Sequence, residues 1–132
     1  MPGPDRIDDK LYLGDRDDGD NERALRLANI TAIVRVLQHP YSFIHGITYF
    51  EVPVCDLPTT NIAQYLPDAI HFIYEQHQAG NNVLIHCNAG ISRSATVATA
   101  YLMTIKNISF SRALDLIRRS RSLARPNEGF EE

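Results

Sequence analysis

One stretch of nine residues, His86-Cys87-Asn88-Ala89-Gly90-Ile91-Ser92-Arg93-Ser94, places a thiol, a guanidinium, a hydroxyl and a glycine close together. A tight loop of this kind turns successive backbone N–H groups inward and makes an anion nest. A helix starting near Ser94 adds the positive end of its dipole. Gly90 permits backbone conformations that other residues resist. Arg93 supplies a planar fork that grips two oxygens of one phosphate. Asn88, Ala89, Gly90, Ile91, Ser92 and Arg93 are therefore the expected phosphate-binding positions. The same positive field favours thiolate over thiol at Cys87. The expected reaction is in-line attack of that sulfur on phosphorus, with a covalent cysteinyl-phosphate intermediate. The Ser94 hydroxyl is placed to stabilise the sulfur as it leaves in the second step. His86 is expected to brace the loop backbone, not to act as a base. No metal or other cofactor is required, because Arg93 and the amides do what magnesium and lysine do in kinases.

This chemistry needs a strand to deliver Cys87 and a helix to receive Ser94. Val83-Leu84-Ile85 is a short apolar run with the look of a central buried strand. Residues 94–105 read as an apolar helix and 109–120 as a second. Upstream, Asn61 to Gln78 sets Ile62, Tyr65, Leu66, Ala69, Ile70 and Ile73 at helical spacing, with Thr60 as its cap. Residues 10–14, 31–37 and 49–54 read as strands, the last ending near Pro53 at an edge, and 21–29 as a short helix. The expected fold is α/β: a central mixed, mostly parallel sheet flanked by helices, with a strand–phosphate loop–helix active site. Ligands in such sheets sit at the carboxyl ends of strands, where His86-Cys87 falls.

With 132 residues and 44% hydrophobic content, one globular catalytic domain over residues 1–132 is expected. Two cysteines do not make a disulfide framework. The start of the chain lacks a signal pattern and no apolar run is long enough to span a bilayer, so the expected location is cytoplasmic, with nuclear access. A net charge of −3 argues against a nucleic-acid partner, and no membrane partner is expected. No oligomeric state is implied.

His86-Cys87-x-x-Gly90-x-x-Arg93-Ser94 resembles the signature of the protein tyrosine phosphatase superfamily. By average residue usage its chance occurrence in a chain this long is on the order of 10⁻⁵. Lys10-Leu11-Tyr12-Leu13-Gly14, Asn29-Ile30-Thr31-Ala32-Ile33-Val34, Ala100-Tyr101-Leu102-Met103 and Arg125-Pro126-Asn127-Glu128-Gly129-Phe130 resemble segments of its small dual-specificity branch. The resemblance implies a shallow pocket open to phosphotyrosine, phosphoserine and phosphothreonine, a phosphorylated protein as substrate, and a role in signalling. It also implies a general acid and base at Asp56, which follows a strand and precedes the helix. Asp15 stands where the branch commonly has a small hydroxyl residue, and the sequence stops where relatives continue as a helix, which suggests a shortened C-terminus.

Other features read more plainly. Asp15-Arg16-Asp17-Asp18-Gly19-Asp20 is expected to be a solvated acidic loop, and Arg118-Arg119-Ser120-Arg121 a solvated helix end. His71 and His77 read as surface or packing residues, and Cys55 as a semi-buried cysteine near the site. Two other functions fit the loop: a silent phosphoprotein-binding adaptor, and a phosphatase of inositol lipids or RNA 5′ ends. The uncharged Asn88, Ala89, Ile91 and Ser92 favour phosphoprotein over those last substrates.

Overall fold

The computed structural model describes residues 3–38, 42–54, 61–88 and 93–120. Five strands, β1 (Asp5–Asp8), β2 (Leu11–Gly14), β3 (Ile30–Val36), β4 (Thr48–Glu51) and β5 (Asn82–Cys87), form one sheet in the order β1-β2-β5-β3-β4. β1 runs antiparallel to β2, and the other three pairings are parallel. The sheet is thus mixed and mostly parallel, with β5 at its centre. The helices are α1 (Arg16–Asp20), α2 (Glu22–Leu27), α3 (Leu66–Gln78), α4 (Arg93–Lys106) and α5 (Phe110–Ser120), with a single 3-10 turn at Ala63–Tyr65.

Side chains alternate across the sheet with the period of two that a strand dictates. Leu11, Leu13, Ala32, Val34, Val36, Val83, Ile85 and Cys87 face the larger core, which α3, α4 and α5 cover. Ile33 and Leu84 face a smaller cluster with Leu25 of α2, joined by Tyr12, Ile44, Ile47 and Tyr49. Each fully buried Leu or Ile contributes roughly 1.5–3 kcal/mol by leaving water. α4 is buried from Arg93 through Thr99 and again at Tyr101 and Leu102. A helix enclosed nearly all round is apolar nearly all round. Its threonines are accommodated by bonds to the preceding turn, as Thr99 Oγ1 donates to Ala95 O at 2.6 Å.

Two elements depart from the sequence reading. β1 precedes the expected first strand, and Asp5, Arg6 and Asp8 gave it no apolar alternation. Its hairpin turns at Lys10, which has φ 58° and whose carbonyl accepts from Val83 N at 2.9 Å. Residues 15–20 are not a loop: Asp15 caps α1. Asp15 Oδ1 accepts from Asp18 N, and Asp18 Oδ2 accepts from Asp15 N, each at 2.9 Å. This reciprocal box satisfies two donors that a helix start otherwise leaves open. The strand expected over 49–54 is Thr48–Glu51, an edge strand that among the described residues pairs only with β3. Val52 and Val54 continue from it and remain buried.

Candidate active site

β5 carries the chain into the site. Its pairing places Leu13 opposite Ile85, Gly14 opposite His86 and Val36 opposite Cys87. Strand alternation then separates two neighbours. Cys87 points to the face that α4 covers, and His86 points to the face of α1. The two side chains leave opposite faces of the sheet, so the imidazole is not set to take a proton from the thiol. His86 Nδ1–H donates to Cys87 O at 3.4 Å, which braces the backbone at the loop entrance. The ring is 1% exposed, and burial lowers its pKa from 6.5 to about 4, with the nearby Arg35 cation acting in the same direction. It is a neutral ring at physiological pH.

Gly19 explains how α1 reaches this ring. A Cβ at Gly19 would run into Nε2, Cδ2 and Cε1 of His86. The helix therefore comes against the imidazole through a bare Cα. α1 is also joined to the loop directly, as Arg16 N donates to Asn88 O at 3.3 Å. Sequence reasoning missed this support. The available signal was Asp15 and Asp18 at the spacing of a capping box.

The sulfur of Cys87 lies at the start of α4. Cys87 is 1% exposed and its Sγ is 3.3 Å from Ser94 Oγ, itself fully buried. Arg93, the first residue of α4, is 8% exposed. Its Nη1 donates to Val54 O at 3.0 Å, tying the loop exit to the residue just before Cys55 and Asp56. Its Nε has no hydrogen-bond partner among the described residues. Buried donors are nearly always paired, so this N–H is one that an oxyanion would satisfy. Cys87, Arg93 and Ser94 are thus gathered at one helix start, with Asn88 at the loop entrance. Ala89, Gly90, Ile91 and Ser92, together with Cys55, Asp56 and Thr60, lie outside the described residues.

An arrangement of strand, buried thiol, loop, buried arginine and helix matches what cysteine-based phosphate transfer requires. Residues 11–132 match the family model described as dual specificity phosphatase, catalytic domain. The chain belongs to this family. Among dual-specificity phosphatases, it is 38% identical over 122 residues to dual specificity protein phosphatase 15 of Rattus norvegicus, covering 92% of this chain and 52% of that protein. It is 35% identical over 130 residues to dual specificity protein phosphatase 22 of Xenopus tropicalis, covering 98% of this chain and 62% of that protein. The chain therefore spans about half to three fifths of the length of these relatives. The crystal structure of DUSP15 superposes with a TM-score of 0.95 at 35% identity, over 98% of this chain and 83% of that one. That of human DUSP28 gives 0.93 at 31% identity, over 98% and 88%.

His77, read as a packing residue, joins three elements. Its Nε2–H donates to Lys10 O at 2.7 Å, which leaves Nδ1 to accept from Tyr101 O–H at 2.8 Å. Burial lowers the His77 pKa and raises that of Tyr101 to about 12. His71 is an exposed partner of Glu75. Arg118 and Arg119 are exposed at the end of α5.

Proposed function

We propose that this protein hydrolyses phosphate monoesters of phosphotyrosine, phosphoserine and phosphothreonine in proteins, without a metal. The observation that carries this reading is the joining of the buried Cys87 sulfur to Ser94 beside an Arg93 whose Nε has no partner among the described residues. The substrate phosphate enters the loop 88–93 and takes hydrogen bonds from its amides and from Arg93. Cys87 attacks phosphorus as a thiolate, the P–O bond to the leaving group breaks, and a cysteinyl phosphate forms. Asp56 protonates the departing oxygen and then takes a proton from the attacking water. Its position two residues beyond Val54, which Arg93 grips, supports that role. In the second step the Ser94 hydroxyl donates to the returning thiolate. His86 holds the entrance of the loop through Cys87 O.

Among the described residues no helix is long and apolar enough to cross a membrane. The reading places the protein in a reducing compartment, the cytoplasm or nucleus, where it reverses phosphorylation signals and Cys87 stays a usable thiol. The test is hydrolysis of p-nitrophenyl phosphate and of phosphopeptides in the presence of a chelator. Cys87→Ser should lose activity by on the order of 10³-fold or more, as removal of a nucleophile does. Undiminished turnover by that variant would refute the mechanism.

A further inference from the structure

We propose that Arg35 and Glu51 are positioning residues for the general acid: their ion pair fixes the base of the segment that runs from Glu51 to Asp56, so that Asp56 meets the leaving-group oxygen. This rests on the phosphatase reading above and adds to it the residues that hold its acid.

Arg35 lies in β3 opposite His86, just before the pairing of Val36 with Cys87, so it stands at the level of the site. Its side chain is 2% exposed. Its Nε and Nη2 donate to the two carboxylate oxygens of Glu51 at 3.1 and 2.7 Å, and Glu51 is the last residue of β4. The main chain of Arg35 also holds the next residue, as Arg35 O accepts from Val52 N at 2.8 Å. Beyond Val52, Val54 N donates to Val52 O at 2.9 Å, and Val54 O accepts from Arg93 Nη1 at 3.0 Å. Residues 51–54 are thus pinned by Arg35 at one end and by Arg93 at the other. Asp56 follows Val54 by two residues.

Stability alone does not explain such a pair. Burying a guanidinium is costly, and apolar side chains in its place often hold a fold as well. What a bidentate arginine–carboxylate pair adds is direction, since two parallel bonds fix the carboxylate in position and angle. The fork is itself held in place. Its Nη1 donates to Ser42 O at 2.6 Å, and the ring centroids of Phe43 and Tyr49 lie 4.7 and 4.4 Å from the guanidinium carbon. β4 is a sheet edge, with β3 as its partner among the described residues. The end of such a strand is held from one side, which is where a directional tether matters. Proton transfer needs the acid within hydrogen-bond reach of the leaving oxygen, and a displacement of about 1 Å costs on the order of 10²-fold in rate.

The test compares kcat/KM for phenyl phosphate, whose leaving group needs a proton as that of phosphotyrosine does, with kcat/KM for 2,4-dinitrophenyl phosphate, whose leaving group departs as a stable anion. Asp56→Asn, the control for the acid role itself, should lose on the order of 10²-fold on the first substrate and stay within about two-fold on the second. Glu51→Gln keeps the shape of the side chain, and Arg35→Lys keeps the buried cation, but each breaks the bidentate fork. Each should lower phenyl phosphate hydrolysis about ten-fold and leave 2,4-dinitrophenyl phosphate hydrolysis within about two-fold. The double variant should lose little more than either single one, because the two residues act as a unit. Retained turnover of 2,4-dinitrophenyl phosphate also reports that a variant has a folded site. Equal loss on both substrates in both variants, or no loss in either, with Asp56→Asn still selective, would overturn this inference alone. Full hydrolysis of phenyl phosphate by Asp56→Asn would overturn the acid role and this inference with it.

Discussion

Unfolding the protein in urea between pH 7.5 and pH 4 tests how His86 is held. Burial puts its folded pKa at about 4, against 6.5 for an exposed imidazole, and the Arg35 charge pushes the same way. As the pH falls, the unfolded chain takes up the proton first. Stability is therefore full above pH 6.5 and is lost as the pH falls from 6.5 toward 4. For one group with these two pKa values the loss is about 2 kcal/mol by pH 5 and about 3 kcal/mol by pH 4. His77 is also lowered by burial and adds a loss of the same sign. The assay therefore compares the unmodified protein with His86→Gln, in which His77 is unchanged. The variant should start less stable at pH 7.5 and lose less on acidification, by about 2 kcal/mol at pH 5. Parallel curves for the two proteins, or an NMR titration of His86 near 6.5 in the folded state, would refute the claim that this ring is held neutral.

Two further predictions concern the site and its frame. Ser94→Ala removes the hydroxyl 3.3 Å from the Cys87 sulfur and should slow the second step about 10- to 100-fold. Stopped-flow hydrolysis of p-nitrophenyl phosphate should then show a burst of nitrophenol, and a linear trace would argue against the role. Arg35 is 2% exposed, with Nε and Nη2 donating to Glu51 at 3.1 and 2.7 Å, Nη1 donating to Ser42 O at 2.6 Å, and its guanidinium 4.4 Å from the Tyr49 ring centroid. Glu51→Ala leaves that cation without its carboxylate and should cost about 2–3 kcal/mol in urea unfolding, toward the low side for a buried pair because Glu51 is itself 28% exposed.

The grouping of Cys87, Arg93 and Ser94 was readable because it is local. Cys87, Arg93 and Ser94 sit within eight residues, and the period of the flanking segments fixes strand before helix. α1 was not readable for the opposite reason. Aspartate and glycine are poor helix formers, and the segment is helical because Asp15 and Asp18 cap each other and because the His86 ring accepts only a bare Cα against it. The second cause depends on a residue about 67 positions away, which no local pattern shows. β1 was hidden likewise. Its Asp5, Arg6 and Asp8 are charges suited to a sheet edge, and edges carry charge to discourage pairing with other chains. The neutrality of His86 also could not be read from the sequence, since burial against α1 and the proximity of Arg35 cause it.

The central position of β5 bears on how the molecule is made. During synthesis β2 and β3 emerge well before β5, and in the finished sheet they do not touch, because β5 lies between them. Until residues 82–87 arrive, the inner edges of both strands carry hydrogen-bonding groups that β5 will later pair. Cys87 is thus delivered by the strand that closes the sheet. A nascent chain halted before β5 carries two open edges, a template for misassociation. The pairings that complete the fold also span dozens of residues, which makes this insertion a slow, non-local step. Placement of Cys87 and closure of the sheet then arrive together, so a partly folded chain lacks the assembled site.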